Sequence, residues 1–110
     1  MQNLRYVGKN LFIEKLSINN IVKKNKTPLY LYSENQIINN YLKFTKSFKK
    51  TNPLVCFAAK SNSNVAILKI LGKLGAGADV VSGGELLKAL KAGIKASKIV
   101  FSGVGKTEDE

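Results

Sequence analysis

The sequence predicts an α/β fold built around parallel strands, and three observations carry that prediction. Residues 54–59, 77–82 and 99–102 are short apolar runs that read as buried strands. Residues 64–74 and 84–92, between them, carry apolar side chains at helical spacing. The strand–helix unit recurs about every 22–24 residues. Apolar strands joined by helices pair in parallel through right-handed crossovers. The pattern by itself fits a doubly wound sheet or a (β/α)8 barrel. Three strands are too few to close a barrel, for which about 250 residues is typical. The 110 residues are therefore expected to be the start of a longer chain.

The elements follow in order. Residues 1–27 form a mixed lead-in, extended around Leu11, Phe12 and Ile13, with a short helix around Ser17–Lys24. Thr27-Pro28 ends that helix, because the residue before a proline is pushed out of the helical region. Leu29–Tyr32 reads as a short strand. Ser33 is a good N-cap, and Gln36 three residues later completes a capping box. Ile37, Ile38, Tyr41, Leu42, Phe44 and Phe48 recur at helical spacing and predict an amphipathic helix over 34–50. Thr51, Asn52 and Pro53 stop it. Leu54–Ala59 is a strand that runs into Lys60. The next helix, 64–74, has Gly75 as its C-terminal cap. Gly77–Ser82 is the second strand, and Gly84–Ala92 the second crossover helix, capped by Gly93. Ile99–Ser102 is the third strand. Glu108, Asp109 and Glu110 suit the first turn of a further helix, where the dipole favours acids.

Composition excludes several classes. A chain 45% hydrophobic and 23% charged is not disordered by composition. One Cys and no His exclude an internal disulfide framework, a Cys/His zinc site and a histidine general base within these residues, and no metal site is expected. The net charge is +11, yet 17 of the 18 basic residues are Lys. Arg is the preferred residue for bidentate recognition of phosphate and base edges, so lysines scattered over helices read as solvated faces. The densest cluster, Lys43, Lys46, Lys49 and Lys50, suits one exposed helix face. Partners are accordingly expected to be a small molecule, with neither nucleic acid nor membrane. Arg5, Lys9, Glu14 and Lys15 interrupt any apolar targeting core near the N-terminus. No apolar run approaches the roughly 18 residues of a membrane span. A single free Cys fits the cytoplasm.

Two residues stand out for chemistry. Lys60 follows an apolar strand and precedes the polar turn Ser61-Asn62-Ser63-Asn64. With side chains alternating, Leu54, Cys56, Ala58 and Lys60 share one face. Ala58 is small and leaves space for a flat ligand beside the amine. The C-terminal end of a barrel strand is where barrel enzymes keep their active sites. Partial desolvation there would free the amine for Schiff-base formation. An ordinary lysine at a strand end, reaching for solvent, has the same pattern. Asp79 lies inside an apolar strand, where a carboxylate is costly unless paired. It reads either as a partner for Lys60 and its hydrogen-bond network or as a cap for the next helix. Glu85 opens that helix, where its charge is favoured. Ser102-Gly103-Val104-Gly105-Lys106-Thr107 invites a nucleotide-loop reading, but Val100 stands where that pattern needs Gly.

Phe57-Ala58-Ala59-Lys60-Ser61-Asn62, Gly77-Ala78-Asp79-Val80-Val81-Ser82-Gly83-Gly84-Glu85-Leu86 and Ile99–Thr107 resemble the fold type III pyridoxal-phosphate decarboxylases. So does the lead-in Thr27–Tyr32. This family includes ornithine, arginine and diaminopimelate decarboxylases, and the second and third segments point to the diaminopimelate branch. The resemblance covers roughly residues 27–110. It implies the N-terminal portion of a (β/α)8 barrel, about three βα units, with 1–27 as lead-in and 28–110 as the start of the cofactor-binding domain.

The resemblance implies pyridoxal 5'-phosphate as cofactor, bonded by Lys60. It places Asp79 and Glu85 near the cofactor, with Ala58 beside it. Ser61 stands where the family usually has Ala. The implied reaction is loss of a carboxylate from meso-diaminopimelate to give L-lysine and CO2, the last step of lysine biosynthesis. The family's ring-stacking His, its glycine-rich phosphate loop and a C-terminal β domain shared across a homodimer lie downstream. These 110 residues alone are therefore expected to be inactive. Competing readings are a sister enzyme acting on arginine, ornithine or carboxynorspermidine, a racemase of the same barrel type, a non-catalytic pyridoxal-phosphate carrier, and a basic nucleic-acid or membrane-surface module. The last predicts affinity that falls steeply with salt.

Overall fold

The computed structural model describes residues 3–48 and 50–110. The chain divides into two compact units, Met1–Asn40 and Tyr41–Glu110.

The first unit holds an antiparallel sheet in the order β1-β2-β3: β1 Leu4–Val7, β2 Asn10–Ile13 and β3 Leu16–Ser17. The lead-in is thus more regular than expected. The registers Val7↔Asn10 and Ile13↔Leu16 leave two loops of two residues, Gly8-Lys9 and Glu14-Lys15. Such tight loops need positive φ. Gly8 supplies it at 58°, and Glu14, which has a side chain, adopts 54°. Helix α1, Ile18–Asn25, falls where the sequence placed it. The strand expected at Leu29–Tyr32 does not form. That stretch joins no ladder and Tyr30 is 90% exposed. A strand exists only through its hydrogen-bonded neighbour, and β1, β2 and β3 pair only with one another. Among residues 3–40 none is buried.

Helix α2, Glu34–Lys46, starts in the first unit and ends in the second. Ser33 Oγ accepts from Gln36 N at 3.0 Å, the expected cap. The Gln36 side chain does not return to the cap; its Nε2 donates to Asn40 Oδ1 at 2.7 Å. The helix ends before the expected residue 50. Ser47 N and Phe48 N bond the carbonyls three residues back, which tightens the last turn. Lys49, part of the expected helix and lysine cluster, lies outside the described residues.

The second unit is the expected parallel layer. Strands β4 (Cys56–Ala58), β5 (Gly77–Val80) and β6 (Ile99–Phe101) pair in parallel in that order. Helices α3 (Val65–Lys73) and α4 (Gly83–Lys91) make the crossovers. Asn64 Oδ1 caps α3 through Ala66 N, and Ser82 Oγ caps α4 through Glu85 N. Gly75 and Gly93 follow the two helices at φ 97° and 86°, as the sequence reading required. Ala59, Leu68, Ala78, Val80, Ala89, Ala92 and Ile94 form the buried cluster, with Phe57, Leu86, Ile99 and Phe101 packed against it. Leu68 and Val80 are its largest fully buried side chains; the rest of the interior is largely alanine. Close approach follows. A Cβ on Gly77 would stand 2.2 Å from the Lys98 carbonyl and 2.7 Å from Cys56 Sγ.

Two expectations need correction here. The first parallel strand stops at Ala58, and Ala59–Ser61 forms a 3-10 turn. Lys60 is therefore not the next residue on the Ala58 face of a strand. Ser61 Oγ donates to the Ala58 carbonyl at 2.7 Å and closes the turn. Glu108–Glu110 do not form a helical turn. Three residues cannot close one among themselves, and the Glu110 carboxylate accepts from Thr107 N instead. A 3-10 turn at Ala96–Lys98, leading into β6, had no sequence signal.

Candidate functional site

The polar residues singled out in the sequence collect at the C-terminal edge of β4, β5 and β6. Parallel pairing explains this. Every strand in such a layer points the same way, so all strand ends and the turns after them share one edge.

Lys60 rises from the 3-10 turn directly after β4. Its neighbour Ala59 is fully buried and anchors the turn in the core. Beyond it, Asn62 Oδ1 accepts from Asn64 N at 3.0 Å, which leads the chain into the α3 cap. Lys60 itself is exposed, so the desolvation expected of a strand-end lysine is not present among the described residues. What the turn provides is an amine on a fixed stem.

Ala58 is half-buried and pairs in register with Asp79 of β5. Asp79 is half-buried and pairs in turn with Val100 of β6. Its partner is not Lys60. Ser102, just past β6, donates its hydroxyl to Asp79 Oδ1. The carboxylate in the apolar strand is thereby satisfied by a cross-strand hydroxyl, which meets the requirement that such a group be paired. Ser102 N extends the ladder by donating to Val80 O at 2.9 Å. Lys106 Nζ donates to the carbonyls of Phe101 (3.2 Å) and Gly103 (2.8 Å) and lies 5.3 Å from the Phe101 ring centre.

Glu85 is engaged locally. Its Oε2 accepts from Val81 N at 2.9 Å while its own N–H donates to Ser82 Oγ. This is a cap at the start of α4, with both partners on that helix or just before it. At the same helix start, Gly83 N donates to Glu110 Oε1 at 2.8 Å. That bond and the one from Thr107 N hold the Glu110 carboxyl below its ordinary value. Cys56 lies at the opposite end of β4. Burial pushes its thiol up, and the Asp79 charge adds to the effect. It is a poor nucleophile there.

The structure thus brings Ala58, Asp79 and Ser102 together across three strands, places Lys60 on the turn at the same edge, and ties Glu85 to its own helix. Sequence reasoning missed Ser102 and Lys106 as parts of the site. In the sequence both belong to a rejected nucleotide-loop pattern and to the Ile99–Thr107 segment of the resemblance, but neither is assigned a role, because a serine at a strand end carries no signal of its own. Chemically, the edge offers a primary amine able to condense with an aldehyde, a carboxylate hydrogen-bonded to a serine hydroxyl, and a small side chain in register with that carboxylate. No helix among the described residues is long and apolar enough to cross a membrane.

The chain is similar to known proteins over nearly its whole length. The family model described as "Pyridoxal-dependent decarboxylase, pyridoxal binding domain" matches residues 34–110. A diaminopimelate decarboxylase of Aquifex aeolicus is 49% identical over 107 residues, 97% of this chain and 25% of that protein. A crystal structure from Aquifex aeolicus superposes with a TM-score of 0.94 at 48% identity, covering 99% of this chain and 27% of the other. Diaminopimelate decarboxylase from M. jannaschii, solved in complex with L-lysine, superposes at 0.91 with 40% identity, covering 97% of this chain and 26% of the other. The chain spans about a quarter of the length of these relatives. Parallel strands, a turn-borne lysine and a hydroxyl-held aspartate all lie within the matched span, and the chain belongs to the pyridoxal-binding domain family of the pyridoxal-dependent decarboxylases.

Proposed function

We propose that this chain is the N-terminal part of a diaminopimelate decarboxylase. In this reading it forms the first three βα units of a (β/α)8 barrel, with residues 1–27 as lead-in and 28–110 as the start of the cofactor domain. The complete protein releases CO2 from meso-diaminopimelate to give L-lysine, as a cytoplasmic homodimer. The single observation that carries the reading is the placement of Lys60 at the C-terminal edge of the parallel strands, inside the span matched by the pyridoxal-binding family model.

The donor set fits pyridoxal 5'-phosphate. The aldehyde of that cofactor needs a primary amine, and Lys60 presents one that is exposed and stands on a turn fixed by buried Ala59. The aromatic ring needs a flat, unobstructed seat, and half-buried Ala58 offers a methyl group there. Asp79 would hold a polar group of the cofactor or its protonated lysine partner, with the carboxylate kept in orientation by Ser102. Glu85 would act from behind, through the start of α4 that it caps. When bound, the cofactor supplies the electron sink for loss of the carboxylate. The chain's own residues attach it, orient it and balance its charge.

The test uses the complete protein carrying this segment, incubated with pyridoxal 5'-phosphate, reduced with borohydride and digested. A pyridoxyl group on Lys60 is the expected result. Label on a different lysine, or none, overturns the assignment.

A further inference from the structure

We infer that Ser102 is a positioning residue for Asp79, and that the loop clamped by Lys106 exists to hold its hydroxyl in place; the inference rests on the reading that Lys60 and Asp79 hold pyridoxal 5'-phosphate.

Asp79 is the side chain whose orientation most needs control. A carboxylate can turn about two side-chain bonds and has about four lone-pair sites. Its two strand neighbours offer no donor: Ala58 has only a methyl group and Val100 only an apolar side chain. The hydroxyl of Ser102 fills that gap by donating to Oδ1. Holding one oxygen narrows the orientations open to the carboxylate, and Oδ2 is left to meet an incoming donor. A hydroxyl carries one proton, so while Asp79 takes it, the Ser102 oxygen remains an acceptor for a further donor.

Ser102 is exposed, and an exposed serine would ordinarily rotate freely. Its backbone is constrained on every side. Its N–H is bonded to the Val80 carbonyl, beyond the last β5–β6 register pair. The carbonyls before and after it, those of Phe101 and Gly103, both accept from Lys106 Nζ. Gly103 is buried, and a Cβ there would stand 2.5 Å from the Val81 carbonyl, so the chain after Ser102 lies directly against the residue that follows β5. One ammonium bridging the two flanking carbonyls, with the Phe101 ring beneath it, makes the segment 101–106 a closed loop around Ser102. Among the described residues, the side-chain donor to Asp79 is the Ser102 hydroxyl that this loop carries.

The inference is tested in the complete protein with four variants: Ser102→Ala, Ser102→Thr, Asp79→Ala and the Ser102→Ala/Asp79→Ala double. Three quantities are read: the dissociation constant of pyridoxal 5'-phosphate by absorbance titration, borohydride labelling at Lys60, and the thermal midpoint of the cofactor-free protein. Ser102→Ala is expected to weaken cofactor binding about tenfold, the size of a lost hydrogen bond to a charged group. Ser102→Thr keeps the hydroxyl and should bind within about twofold of the parent. In the Asp79→Ala background, Ser102→Ala should add less than about twofold, because the group it positions is gone. A purely structural serine would instead lower the midpoint and weaken binding equally in both backgrounds, which overturns the inference. Unchanged affinity in Ser102→Ala, with Lys60 still labelled, overturns it as well and leaves the cofactor reading intact. A parent protein unlabelled at Lys60 overturns both. Should Ser102→Ala not fold, Ser102→Cys takes its place, since a thiol of similar size is a weak donor and should show the same weakening.

Discussion

The antiparallel unit and the parallel unit are both made of very short strands, two to four residues each, yet they are held together differently. The parallel unit has an interior. Among the described residues, all the buried ones fall between Ala59 and Gly103, and helices α3 and α4 make the crossovers between the strands. The antiparallel unit has no buried residue among those described; its apolar side chains are at most half-buried, and polar contacts tie its loops together. Glu14, at positive φ in the β2–β3 loop, accepts from Ser33 Oγ (2.6 Å), Asn35 N (3.1 Å) and Asn35 Nδ2 (3.0 Å). A carboxylate thus joins a hairpin loop to the N-terminus of α2, where the helix dipole favours it. The contrast teaches where chemistry can be placed. A side chain that must hold its position belongs on the unit with an interior, and Lys60, Asp79 and Ser102 are all there.

The comparison can be broken most severely in the core. Leu68→Ala should cost about 3 kcal/mol in chemical denaturation, the usual toll of an emptied leucine site. Leu16→Ala, at a leucine 62% exposed in β3, should cost less than about 1 kcal/mol. Equal losses would erase the distinction between the units. Glycine substitutions come next. Gly77→Ala drives a methyl group into the Lys98 carbonyl and should cost about 2–3 kcal/mol. Gly8→Ala meets open space and bears only the strain of positive φ, about 1 kcal/mol. Caps sharpen the comparison, because the chemistry is the same on both sides. Ser82→Ala and Ser33→Ala should each lose about 1 kcal/mol. The Ser33 variant should also release Glu14, seen as a change in the Asn35 amide resonance, whereas Ser82 has no such dependent.

The smallest effect is one of pH. The hydrogen bonds from Ser33 and Asn35 hold the Glu14 carboxyl below its ordinary 4.5. Its contribution is therefore complete above pH 4.5 and fades as pH falls through the lower folded-state value. The Asn35 amide shift should titrate with a midpoint below 4.5, and Glu14→Gln should abolish that titration. A midpoint at or above 4.5 would show that the contacts do not persist in solution.

What the sequence revealed follows the same divide. The parallel unit was legible because its signals are redundant: apolar strands, helical periodicity, and Gly75 and Gly93 where helices must stop. The hairpins of the first unit were not. Their strands are too short for alternation to register, and Glu14-Lys15 is a loop with no turn residue in it, stabilised by Ser33 and Asn35 some twenty positions later. Leu29–Tyr32 has the composition of a strand but no ladder, and composition alone does not supply a neighbour. At the site, Lys60 was visible by its position after an apolar run. That it leaves the strand plane was not, because the 3-10 turn depends on Ser61 bonding back to Ala58. Ser102 became legible only when parallel register brought it beside Asp79.

The alanine-lined interior has a calorimetric consequence. Half of the buried apolar residues, Ala59, Ala76, Ala78, Ala89 and Ala92, carry one methyl group each. The heat capacity of unfolding scales with the apolar surface newly hydrated, so this segment should fall below the usual increment of about 12–15 cal/mol/K per residue. Its stability curve would then be shallow, with little loss on cooling.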